Sequence, residues 1–91
     1  MLIRWTDAAL RELDDAIDFI EADNPLAAAR MNERIVVAAR NLGTFPRQGR
    51  PGRVADTREL PVPGTPFLVV YSVGRDGIDI LRLLHGARRY P

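Results

Sequence analysis

The sequence predicts an α+β domain in the order β-α-α-β-β-β, with an N-terminal helical hairpin packed on one face of an antiparallel sheet. Three observations predict it. Apolar residues recur twice at helical spacing before residue 43, only Asn24-Pro25 separates the two stretches, and nearly everything after residue 57 reads as strands and tight turns. The 91 residues make one domain, 1–91, because a chain this short has room for a single core.

Leu2-Ile3-Arg4-Trp5 is short and largely apolar, which suits an edge strand. Thr6 is an N-cap by type, and Asp7 follows in the first turn, where the helix dipole favours an acid. Leu10, Leu13, Ile17 and Ile20 then form an apolar stripe. Arg11, Glu12, Asp14, Asp15, Asp18 and Glu21 occupy much of the remaining circumference, an acidic outer face whose simplest role is solubility. Asn24 caps the next helix and Pro25 stands at its first position. Ala28, Met31, Ile35, Ala38 and Leu42 form the second stripe, and Gly43 stands where a left-handed cap is expected. So short a connection makes the two helices an antiparallel hairpin, and alanines at 27–29 and 38–39 allow close approach.

Residues 44–57 hold Pro46, Gly49, Pro51 and Gly52 together with Arg47, Arg50 and Arg53. They predict an irregular loop, long enough for a small domain to suggest function. Arg58-Glu59-Leu60-Pro61-Val62 reads as a strand, and Pro61, lacking an amide donor, places it at an edge or a bulge. A turn at Pro63-Gly64-Thr65-Pro66 leads into a β-rich run over 67–73, and Gly74-Arg75-Asp76-Gly77 is a hairpin turn by composition. Residues 78–85 are too continuously apolar for a one-sided edge strand, and 86–91 form a short polar tail.

The absence of cysteine excludes a disulfide framework or thiolate metal site, and a single His85 argues against a histidine-based zinc cluster; no metal and no cofactor is expected. No apolar run approaches the ~20 residues needed to span a bilayer, and the acidic stretch comes too early for a signal peptide, so a cytoplasmic protein with no membrane partner is expected. The net charge of +1 conceals a polarity: residues 1–45 carry −3 and residues 46–91 carry +4. A near-neutral total argues against a general nucleic-acid coat, but the basic half suits a local anionic partner. All thirteen basic residues are arginine, which binds phosphate or carboxylate well and is a poor proton acceptor. Acid–base chemistry therefore falls to His85, a carboxylate or a tyrosine.

The order of elements resembles the RelE/ParE superfamily of bacterial toxins from type II toxin–antitoxin modules. The resemblance is carried by the helix after Trp5-Thr6, Asn24-Pro25-Leu26-Ala27-Ala28-Ala29, Leu42-Gly43-Thr44-Phe45-Pro46-Arg47-Gln48-Gly49-Arg50, Arg58-Glu59-Leu60, Val70-Tyr71 and Ile80-Leu81-Arg82-Leu83-Leu84-His85-Gly86-Ala87-Arg88. It covers nearly the whole chain, through order and spacing more than any single piece. It implies a toxin neutralised by a cognate antitoxin protein, acting in one of two ways. ParE-like members poison DNA gyrase without being nucleases; RelE-like members enter the ribosome and cut mRNA.

For RelE-like cleavage the resemblance points to His85, Arg58, Arg88 and Tyr90, with Glu59 as an auxiliary group. Arginines stand in the loop where RelE has lysines, and a short tail is expected in place of its C-terminal helix. These departures favour the ParE-like branch, with RelE-like cleavage as the alternative and an inactive partner-binding relative as a third reading. Arg47, Arg50, Arg53, Arg58, Arg88 and Arg89 are the candidates for binding the target, and Trp5, Leu13, Ile17 and Ile20 for binding the antitoxin.

Overall fold

The computed structural model describes residues 1–86. The chain runs β1 (Leu2–Trp5), α1 (Asp7–Asp23), α2 (Pro25–Asn41), β2 (Arg50–Pro51), β3 (Arg58–Pro61), β4 (Phe67–Val73) and β5 (Gly77–His85), with the strands in the order β1-β5-β4-β3-β2.

Local chemistry sets the helix ends. Thr6 Oγ1 accepts from the Ala9 amide at 3.1 Å and donates to the Leu81 carbonyl at 3.0 Å, so one side chain caps α1 and ties it to β5. Asn24 closes one helix and opens the other: its amide donates to Ile20 O at 2.9 Å while its side chain accepts from the Ala27 amide at 3.1 Å. Ala9, Ala28 and Ala39 are buried, and their small volume lets the hairpin lie close to itself and to the sheet. Ile35, Leu42, Ile78 and Ile80 are fully buried beneath it, each contributing about 2 kcal/mol of apolar burial.

The structure corrects four details. The sheet is antiparallel except at β1, which runs parallel to β5; side chains alternate with a period of two in either direction, so the sequence pattern does not encode this. The loop over 44–57 contains a strand, β2, whose Arg50 and Pro51 pair with Glu59 and Arg58, so Pro61 sits just beyond the reach of the edge strand. The one register irregularity between β4 and β5 falls at Val70/Tyr71 rather than near Pro61. Gly43 is not left-handed: the helix tightens through bonds such as Gly43 N to Arg40 O at 3.0 Å. A Cβ there would stand 3.1 Å from Met1 O, so glycine serves close approach of the N-terminal strand.

At the free end of the β4–β5 hairpin, Arg4 lies opposite Asp79 in register, donates to its carboxylate at 2.7 Å, and reaches Asp76 at 3.2 Å. The guanidinium, through its hydrogen bond first and its charge second, holds the Asp76 carboxyl below its ordinary value. A carboxyl depressed on folding contributes stability above its unfolded pKa, about 3.9, and loses it as pH falls through the lower folded value. Asp76→Asn should therefore lower the neutral plateau by as much as it flattens the acid limb, leaving stability at the acid end little changed. Thermal unfolding of both proteins across the acidic range checks this, and an unchanged acid limb would remove Asp76 from the account.

Candidate functional site

Two concave surfaces meet at the end of the sheet where Phe67 pairs with His85, and Pro66, Phe67 and His85 line both. The His85 imidazole is exposed and meets the Phe67 ring edge-on, with centroids 5.7 Å apart.

The first is a cleft of about 260 Å³ whose walls include Arg50, Arg53, Thr65, Leu84 and His85. Alternation along the strands sets its Leu68 and Leu84 wall, with Glu59 and Val70, on the side away from the helices, whereas Val69, Tyr71 and Leu83 point into the core under the hairpin; Phe67 and His85 share the hairpin side and line the cleft at the strand ends. Glu59 is 1% exposed, the one buried charged side chain among the described residues. It accepts from the Arg53 amide at 2.9 Å and lies 3.5 Å from the Arg50 guanidinium, so a single carboxylate fixes the loop at both arginines.

The loop is pinned from inside as well. Tyr71, fully buried, accepts from Gly49 N and donates to Pro46 O, both at 2.8 Å. A Cβ on Gly49 would fall 2.7 Å from that hydroxyl and 2.8 Å from Glu59 O, so only glycine lets the loop pass. Arg58 donates to Gly49 O at 2.7 Å and acts as a brace under the same turn.

The second surface is an apolar groove of about 640 Å³ between the hairpin and β5, with Ala16, Phe19, Ile20, Met31 and Leu83 among its walls and Glu12 and Asp15 beside them. Phe19 is 79% exposed on it. Glu12 accepts from Arg82 Nε and Nη2, at 3.0 and 2.7 Å, and from the Leu83 amide at 3.0 Å. It thereby seals the stretch of β5 that β1 does not reach.

The candidates from the sequence separate accordingly. Arg50, Arg53 and His85 come together at the cleft, Arg58 turns to the loop backbone, and Arg47 is exposed without lining the cleft. Arg88, Arg89 and Tyr90 lie outside the described residues. Among the proposed antitoxin contacts, Leu13 belongs to the core, Trp5, Ile17 and Ile20 are half-buried against it, and only Ile20 lines the groove. Three residues of the site carry weight that their sequence pattern does not announce. By pattern Glu12 belongs to a solvated helix face and Tyr71 to an ordinary strand. Phe19 carried a signal: a large aromatic side chain off the apolar stripe of a helix. Among the described residues no group of three or more potential ligands could hold a metal ion, and no helix is long and apolar enough to cross a membrane.

Comparison with known proteins agrees with this architecture. A solved chain described as the chromosomal ParDE TA system from P. aeruginosa superposes with a TM-score of 0.84 at 28% identity, covering 93% of this chain and 95% of its own. The helical hairpin, five-stranded mixed sheet and braced basic loop thus define a type II toxin of the RelE/ParE superfamily. The model of the ParE toxin of the type II toxin–antitoxin system, parDE, matches residues 3–90, and the chain belongs to that family. It is 44% identical over 89 residues to Y4kP of Sinorhizobium fredii, a toxin by name, covering 98% of this chain and 92% of the relative. It is 39% identical over 84 residues to toxin RelE2 of Caulobacter vibrioides, covering 92% and 93%. Membership of a type II family implies an antitoxin protein as partner.

Proposed function

We propose that this toxin acts as a ParE-like, non-catalytic inhibitor of DNA gyrase, neutralised by its cognate antitoxin. The observation that supports this reading is the use made of Arg58 and Glu59. Cleavage at a 2′-hydroxyl needs a base, an acid and a phosphate-stabilising cation around the scissile bond. Here Glu59 is buried and committed to the loop, and Arg58 is bound to Gly49 O. Both shape a surface, which suits a protein that works by holding its target.

The direct test combines two assays on the isolated chain: supercoiling by purified gyrase, and mapping of mRNA 5′ ends after induction in cells. Inhibited supercoiling with intact transcripts is the expected outcome. Codon-register cuts that disappear in His85→Ala would replace it with the RelE-like reading, which is favoured by the identity to a relative named RelE2 and by the exposed His85 beside two arginines.

In this reading the antitoxin segment lies in the apolar groove, with apolar side chains over Phe19, Ile20 and Met31 and a basic residue toward Asp15. An aromatic anchor in such a groove typically contributes about 2 kcal/mol or more. Phe19→Asp should therefore weaken antitoxin binding by about 30-fold or more, while growth inhibition by the toxin alone persists. Titration calorimetry against the neighbouring gene product measures the first, and unchanged affinity would move the antitoxin off this groove.

A further inference from the structure

We infer that Glu12 guards the edge of the sheet, holding the C-terminal half of β5 closed against strand pairing with a second copy of this chain. This goes beyond the proposed function and does not rest on it.

Four observations carry it. First, β5 has nine residues and β1 only four, and β1 pairs no further than Ile80, so residues 81–85 form an edge that no strand among the described residues covers. Second, the groups along that edge are taken one after another by the start of the hairpin. Thr6 N donates to Ile80 O and Thr6 Oγ1 to Leu81 O, both at 3.0 Å, and the Leu83 amide donates to Glu12 Oε1 at 3.0 Å. Because that amide points away from β4, the Glu12 oxygen stands where an added strand would place a backbone carbonyl. Third, the carboxylate is clamped. Arg82 Nε reaches its two oxygens at 3.0 and 3.2 Å, Nη2 reaches Oε2 at 2.7 Å, and the Glu12 side chain is only 21% exposed. Fourth, the run beneath is one that pairs readily. Ile80-Leu81-Arg82-Leu83-Leu84 has one charge and neither Pro nor Gly, Leu83 and Leu84 are buried on opposite faces, and Phe19 stands exposed on the adjoining groove. An edge of that composition is a template for another chain unless something blocks it.

The edge itself names the partner that is kept out. Two identical runs can pair antiparallel about a two-fold axis, each Leu83 exchanging its outward amide and carbonyl with the other. A net charge of +1 per chain opposes that association only weakly. A copy so paired would lie across the groove that Leu83 and His85 line, so the guard also keeps that groove open.

The test is sedimentation equilibrium of the full-length chain over a range of concentrations, joined to hydrogen exchange of the Leu83 amide read by NMR. The wild-type chain should be monomeric, with that amide protected at every concentration. Glu12→Ala removes the acceptor and should tighten self-association about tenfold or more. Its Leu83 amide should exchange rapidly when dilute and become protected again as the dimer forms. Glu12→Gln keeps an acceptor oxygen without the charge and should stay within about threefold of the wild type. If Glu12→Ala shows no cooperative unfolding transition, Arg82→Ala takes its place, since it frees the carboxylate from its clamp and should shift association in the same direction. Self-association unchanged in the folded variants overturns the inference. So does an equal rise in Glu12→Ala and Glu12→Gln, which would make charge the barrier and not the occupied amide. Dimers whose Leu83 amide stays exchangeable pair elsewhere and overturn it too, as does an unprotected Leu83 amide in the wild type. Each of these outcomes leaves the proposed function standing.

Discussion

Replacing Tyr71 by Phe should destabilise the protein by about 2–3 kcal/mol, because the lost hydroxyl leaves the buried Gly49 amide without an acceptor and Pro46 O without a donor. For a domain of this size that corresponds to roughly 10–20 °C in melting temperature. The ring stays in the core, so the effect isolates the two hydrogen bonds. Gly49→Ala attacks the same contact from the other side, by driving a methyl group to 2.7 Å from the hydroxyl and 2.8 Å from Glu59 O. The two substitutions should not add. Removing the hydroxyl relieves part of the clash, so the double variant should be more stable than the summed single effects imply. Strict additivity in thermal unfolding would show that Tyr71 and Gly49 do not act on one turn.

Glu59 should show an equally large effect, with a sharp dependence on the replacement. Glu59→Ala removes the acceptor of the Arg53 amide and opens a void beneath the loop, and should cost about 2–3 kcal/mol. Glu59→Gln keeps the shape and an acceptor and loses only the charge. Because the Arg50 side chain is 61% exposed, solvent screens the ion pair, and that charge contributes no more than about 1 kcal/mol. Urea unfolding of the two variants separates the terms. Equal losses would mean that the buried charge, and not the hydrogen bond with its packing, holds the loop.

These two residues also mark how far sequence reading reaches. Thr6, Asn24 and Pro25 declare helix ends because capping is a local reaction between a side chain and amides three residues away. The stripe from Ala28 through Ile35 to Leu42 declares a buried face for the same reason, and its ends and centre are indeed buried. Leu10 belongs to the corresponding stripe of the first helix and is nonetheless exposed, since a stripe names a face and not how far the neighbouring sheet extends beneath it. The loop was legible as a basic segment, but its strand β2 was not. A two-residue strand has no periodicity of its own and exists only because Glu59 and Arg58 lie opposite.

The candidate site divides in the same way. Arg50, Arg53, Arg58 and His85 were visible as chemistry, since arginine and histidine are the residues that bind phosphate or move protons. Their grouping was not. Arg58 lies five residues from Arg53 and turns to a backbone carbonyl, while His85, some thirty residues away in sequence, shares the cleft.

From the residues themselves came the two helices and their hairpin, the C-terminal run of strands, the charge polarity, and a set of cationic side chains suited to an anionic partner. All of these follow from interactions within a few residues, or from composition, and need no knowledge of the chain's path. Only the tertiary structure decided that β1 runs parallel to β5, that Glu12 crosses to Arg82 and Leu83, that Glu59 is sealed beneath its loop, and which arginines face a common cavity. Each of those joins groups far apart along the chain. Such contacts are selected by how the hairpin and the sheet close on one another, which no local propensity encodes.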